Sequence, residues 1–153
     1  EALERTVLGR KIQMHCQVEL ARFDEAKSYE DNKQALLEQL VGKQVIGQEV
    51  ADKLQEKESA HPAISENGYA YPHLTDASLE QIILVVPVQD SLHLSSQTGL
   101  TVQDFVLIFV PSELDEFNHD LLFNIFDNTF RMGKQSHIKE RLGIDQWSDM
   151  LTL

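Results

Sequence analysis

Two stretches decide the fold: Ile82-Ile83-Leu84-Val85-Val86-Pro87-Val88 and Phe105-Val106-Leu107-Ile108-Phe109-Val110-Pro111. Both are almost unbroken in β-branched and aromatic residues, about the length of a strand, and too short for a typical core helix. An apolar run without alternation is buried on both faces, as in a sheet covered by helices. Outward from these runs, Gln13–Leu20 alternates in part and reads as a further strand. Ser28 is a plausible N-cap for a helix carrying Leu36, Leu37, Leu40 and Val41 on one stripe and ending at Gly42. A second helix fits residues 47–57, with Val50, Ala51 and Leu54 on one face. On the far side, Phe117 to Phe130 carries Leu121, Leu122, Ile125, Phe126 and Phe130 as an amphipathic stripe. Two shorter helices are expected near 135–142 and 145–152, broken at Gly143. Helices before, between and after buried strands give an α/β or α+β sandwich around one central sheet.

The chain of 153 residues is one domain's length, and 42% hydrophobic with 25% charged residues is globular composition. Asp plus Glu number 25 against 13 Lys plus Arg, a net charge of -12. A surface that acidic repels phosphate backbones and argues against direct nucleic-acid contact; the same field favours a basic protein partner. The single cysteine, Cys16, cannot form an internal disulfide, which points to a reducing compartment, and in a strand it reads as a small buried hydrophobe. No apolar run is long enough to span a bilayer, and the charged opening EALERTVLGRK is unlike a signal peptide. Residues 1–12 are expected to be a leading segment or linker and 13–153 the domain. The Glu at position 1 fits a piece cut from a longer protein, although processing leaves the same mark.

The sequence has no P-loop, no dinucleotide-binding glycine fingerprint, no paired-cysteine zinc motif and no nucleophile elbow. The six histidines, at 15, 61, 73, 93, 119 and 137, lack the close helical spacing of a zinc site, so neither a metal nor a cofactor is expected. The informative segment runs from Glu56 to His73 and closes as Gly68-Tyr69-Ala70-Tyr71-Pro72-His73. Gly68 permits a positive φ or close backbone approach. Tyr69-Ala70-Tyr71 reads as a short strand, with Pro72 bracing a histidine presented at its end. On residues alone the ordinary alternatives stand: a Pro-His in a loop, a boundary helix-cap histidine at 119, a solvated lysine at 57.

This segment resembles the active-site motif of the type-2 (fructose/mannitol) EIIA proteins of the bacterial phosphoenolpyruvate-dependent sugar phosphotransferase system. Those carry an Arg-Glu pair and then Gly-Ile-Ala-Ile-Pro-His. Here Lys57-Glu58 stands where they have Arg-Glu, and Tyr69 and Tyr71 replace both isoleucines. Glu116-Phe117-Asn118-His119-Asp120-Leu121, after the second apolar run, is similar to the family's second-histidine stretch. The resemblance implies a mixed β-sheet flanked by helices on both sides. It implies His73 as phosphoryl acceptor from the phosphocarrier HPr, onward transfer to an EIIB cysteine, His119 as a phosphoryl stabiliser, and Lys57 and Glu58 in support. The chemistry suits the residue type: imidazole titrates near neutral pH, and phosphoryl transfer depends mainly on positioning and charge stabilisation.

Three departures qualify the match. Lys57 cannot make the bidentate phosphate contact of an arginine, Leu74 stands where a glycine usually follows the histidine, and the tyrosines enlarge the strand. EIIA-like domains also sit at the C-terminus of PTS-controlled (BglG-type) transcription regulators and antiterminators. The first expectation is therefore a cytoplasmic phosphohistidine domain with regulatory use. Its competitors are an EIIA relay, a carrier-type phosphotransferase serving sugar uptake, and an interaction domain that has lost phosphorylation.

Overall fold

The computed structural model describes residues 16–89, 91–114 and 116. The chain runs β1 (Cys16–Ala21), α1 (Tyr29–Gly42), α2 (Gln48–Ala60), β2 (Tyr69–Ala70), β3 (His73–Asp76), β4 (Ile82–Pro87), β5 (Asp104–Phe105) and β6 (Leu107–Pro111). Strands β1, β4, β6 and β3 form the central sheet in that order. It is mixed, with β1 parallel to β4, β4 antiparallel to β6, and β6 parallel to β3. Strands β2 and β5 pair in parallel as a second, two-stranded sheet.

The two apolar runs sort their side chains by parity. Ile83, Val85, Leu107 and Phe109 pack with Leu36, Leu37 and Leu40 of α1 and Val50, Ala51 and Leu54 of α2. Ile82, Leu84, Val86, Ile108 and Val110 form the other core cluster with Cys16 and Tyr69. Burial on both faces is what an unalternating run requires, and the architecture is α/β with helices on the central mixed sheet. The helices expected over Phe117–Phe130 and in the tail, the leading segment 1–12 and His119 lie outside the described residues. Cys16 is buried with its thiol pushed up to about 12 by desolvation, so it is chemically quiet. No described helix is long and apolar enough to cross a membrane.

Local chemistry explains most element ends. Ser28 Oγ accepts from the Asp31 amide (3.1 Å) and caps α1. The buried Asn32 ties the preceding turn down, donating to the Asp24, Lys27 and Ser28 carbonyls and accepting from the Asp24 amide. The helix takes in Gly42, and the left-handed residue after it is Gln44 (φ 62). Helix α2 runs three residues past its expected end, to Ala60, just before Pro62. The run at 105–111 is not one strand: pairing breaks at Val106, opposite Tyr71 and Pro72. The register survives the break, since Ala70 pairs with Phe105 and His73 with Ile108. Val106 donates to the Ala70 carbonyl (2.9 Å) and Ile108 to the Pro72 carbonyl (3.1 Å). Pro72 has no N–H to return, which interrupts the ladder at that point.

Candidate functional site

The segment leading to His73 is built from its own backbone. Gly68 sits at φ +82, and a Cβ there would lie 2.3 Å from the Thr101 carbonyl oxygen. Its own carbonyl accepts from the Gln103 amide (2.8 Å). The turn thus needs glycine for its left-handed backbone and for the close approach of the 101–103 segment. Around it, Gly68 donates to the Ser65 carbonyl, the Ser65 amide to the Tyr69 carbonyl, and the Tyr69 amide to Ser65 Oγ. The Tyr71 amide donates to the Ala63 carbonyl (2.9 Å).

His73 differs from expectation in one respect: it opens β3 rather than closing the preceding strand, because Pro72 breaks the two apart. The ring is partly buried and stacks on Tyr71 with centroids 6.0 Å apart and planes 9° from parallel. Its Nδ1 lies 2.9 Å from the Tyr71 carbonyl oxygen. A carbonyl only accepts, so this bond puts the proton on Nδ1 and the lone pair on Nε2.

Lys57 comes to the same place from the last turn of α2. Its ammonium donates to the His73 carbonyl oxygen at 2.6 Å. Glu58, the next residue, turns inward. It is buried, pairs with Lys33 Nζ through Oε1 (3.1 Å) and accepts from the Ala63 amide through Oε2 (3.1 Å). The structure thus brings Lys57 to His73 and sends Glu58 beneath the loop. His61 and Glu66, in the same stretch, are exposed.

Sequence reasoning missed three neighbours. Lys53, one turn before Lys57, bonds Asp76 at the far end of β3 (2.7 Å). That bond first, and the hydroxyl and amide of Ser78 next, hold the Asp76 carboxyl down to about 2. The Tyr71 carbonyl, which selects the His73 tautomer, has no sequence signature. Lys33 does have one, since it falls on the apolar stripe of α1 four residues before Leu37. Its ammonium sits 4.8 Å above the buried Tyr29 ring. Burial first, and the Glu58 carboxylate next, push the Tyr29 phenol well above its usual range, although its hydroxyl makes no hydrogen bond of standard geometry with the described residues. Among the described residues no group of three or more His, Cys, Asp or Glu side chains is placed to hold a metal ion.

A crystal structure of the nitrogen regulatory protein IIA-Ntr from Neisseria meningitidis aligns with 90% of this chain and 98% of its own, at TM-score 0.53 and 15% sequence identity. The fold is that of a IIA protein. A Streptococcus mutans protein assigned as PTS IIA (PtxA) also aligns, over 95% of this chain and 90% of its own, at TM-score 0.47 and 13% identity. No protein-family model matches the sequence, and no curated protein matches it. The IIA fold therefore rests on the arrangement of strands and helices and not on sequence identity.

Proposed function

We propose that this chain is a phosphohistidine domain of the phosphoenolpyruvate-dependent sugar phosphotransferase system, with His73 as acceptor. The observation that carries the reading is the Nδ1-to-Tyr71 bond, which leaves the Nε2 lone pair as the nucleophile. Nε2 attacks the phosphorus of a donor phosphohistidine. An N–P bond forms on His73, the donor's N–P bond breaks, and the donor ring leaves with the electron pair. His73 keeps its Nδ1 proton and becomes cationic, and the Tyr71 carbonyl dipole stabilises that charge as it develops. Lys57 supplies positive charge beside the incoming phosphoryl oxygens. His119, after β6 in sequence, is proposed to add a ring N–H donor.

The donor in this reading is an HPr-like phosphocarrier, in the cytoplasm. The phosphoryl group then serves either as a regulatory signal or as cargo for an EIIB cysteine. The residue at 57 favours regulatory use, since lysine gives a point charge where a guanidinium would give a bidentate clamp. The Neisseria neighbour is itself named a nitrogen regulatory protein. The test is incubation with phosphoenolpyruvate, enzyme I and HPr, followed by addition of EIIB. Acid-labile label that stays on the domain supports the signal, and label that moves to EIIB supports the relay. An unlabelled protein leaves only the interaction-domain reading.

Two rate measurements probe the surroundings of His73. Lys57→Met is expected to slow phosphorylation by about tenfold, below the usual loss for a buried oxyanion donor because this ammonium is exposed. Its denaturation midpoint should stay close to wild type, and Lys57→Arg should restore the rate. An unchanged rate in Lys57→Met removes Lys57 from the site. The net charge of -12 should also steer a basic donor. The phosphorylation rate is then expected to fall clearly between low salt and ~0.5 M, where screening shortens to a few Å. A flat profile in folded protein sinks the steering while leaving His73 in place.

A further inference from the structure

A line of hydrogen bonds runs from the helix pair to the imidazole. Lys33 Nζ on α1 pairs with Glu58 Oε1 at the end of α2 (3.1 Å). Glu58 Oε2 accepts from the Ala63 amide (3.1 Å), the Ala63 carbonyl accepts from the Tyr71 amide (2.9 Å), and the Tyr71 carbonyl lies 2.9 Å from His73 Nδ1. Every link is fixed in direction by chemistry, since an ammonium and an amide only donate and a carboxylate and a carbonyl only accept, which leaves Nδ1 as the donor of the last.

The first link is buried, with the Lys33 and Glu58 side chains 6% and 1% exposed. A charge pair taken out of water costs desolvation that its mutual attraction only partly repays, so hydrophobic residues of the same shape would hold two helices at least as well. What an apolar pair cannot do is accept the Ala63 amide. That bond pins Ala63, whose carbonyl, in the next peptide unit, accepts from the Tyr71 amide. Lys33 fixes the Glu58 carboxylate with one oxygen turned to the loop, and Tyr29, over whose ring the ammonium sits, keeps that end dry.

We infer that Lys33, acting through Glu58 and Ala63, is a positioning residue that holds the Tyr71 carbonyl against His73 and so sets the imidazole tautomer. Its consequence for catalysis rests on the reading of His73 as phosphoryl acceptor, but the tautomer itself does not. The proton is kept on Nδ1, and the lone pair falls on Nε2.

The test uses the full, unphosphorylated chain labelled with 15N, at about pH 9, where imidazoles are neutral. Two-bond 1H–15N correlations report the tautomer of each ring, and His73 is assigned from the signal lost in His73→Ala. In wild type the Nδ1–H form should dominate. Lys33→Met strands a buried carboxylate and is expected to loosen the fold. The decisive variant is therefore the double change Lys33→Met with Glu58→Leu, which removes both charges and the Ala63 acceptor while keeping the volume. The ratio of Nδ1–H to Nε2–H at His73 should fall roughly fivefold, the effect of weakening one hydrogen bond. A wild-type ratio in either variant, with wild-type circular dichroism, overturns the inference. An unchanged ratio together with label on His73 sinks the positioning role alone. A shifted ratio without label in wild type sinks only the functional reading.

Discussion

The His73→Ala protein is expected to take up no phosphoryl group from phosphorylated HPr, a loss of at least ~100-fold in label, because it removes the nucleophile itself. The fold should survive. His73 is only partly buried at the first position of β3, and losing its bond to the Tyr71 carbonyl costs about 1 kcal/mol. The chain has six histidines, so five remain in the variant as competing acceptors. Acid-labile label persisting at the wild-type level would put the chemistry on one of those five. Partial label would mean that a neighbour takes over slowly.

The largest stability effect is expected at Gly68. An alanine there pays about 1–2 kcal/mol for the left-handed backbone and about 1–3 kcal/mol for forcing its Cβ against the Thr101 carbonyl. The 2.3 Å approach is to backbone rather than to a side chain that can swing away. The Gly68 carbonyl is itself held by Gln103, so the turn cannot easily retreat. A total of about 2–5 kcal/mol is a large part of a domain's usual stability. Gly99 is the internal control. It has φ +85 but no atom of the described residues within 4 Å of the added carbon, so Gly99→Ala should cost only the backbone contribution. Urea denaturation of both variants separates strain from clash. Equal losses would mean that the 101–103 segment yields to a side chain at position 68 and that the turn is loosely built.

Much of this architecture was legible because burial leaves a pattern. The unalternating runs at 82–88 and 105–111 required a sheet covered on both faces, and the stripes at Leu36–Leu40 and Val50–Leu54 supplied the helices. Ser28 was legible as a cap for the chemical reason that it caps. The break at Val106 was not, since Val106 is as apolar as its neighbours and the cause is a proline between two other strands. Gly42 was legible as the last residue of its helix, whereas the left-handed Gln44 beyond it carries no such mark. Within the site, Gly68 and His73 stood out through residue type. Glu58 was found by resemblance to a motif, yet both it and Lys33 also sit on apolar stripes, at Leu54 plus four and Leu37 minus four. A charge at such a position needs a buried counter-charge, and two of opposite sign on consecutive helices was the available signal. The Tyr71 carbonyl gave none, because a backbone acceptor does not depend on side-chain identity.

The central claim is that His73 accepts a phosphoryl group at Nε2 while Nδ1 keeps its proton on the Tyr71 carbonyl. The most direct measurement is 15N and 31P NMR of the phosphorylated, 15N-histidine-labelled chain. The account predicts a single phosphohistidine, at His73, with phosphorus coupled to Nε2 and the proton on Nδ1. Phosphorus coupled to Nδ1 of His73, or found on any other residue, would contradict it.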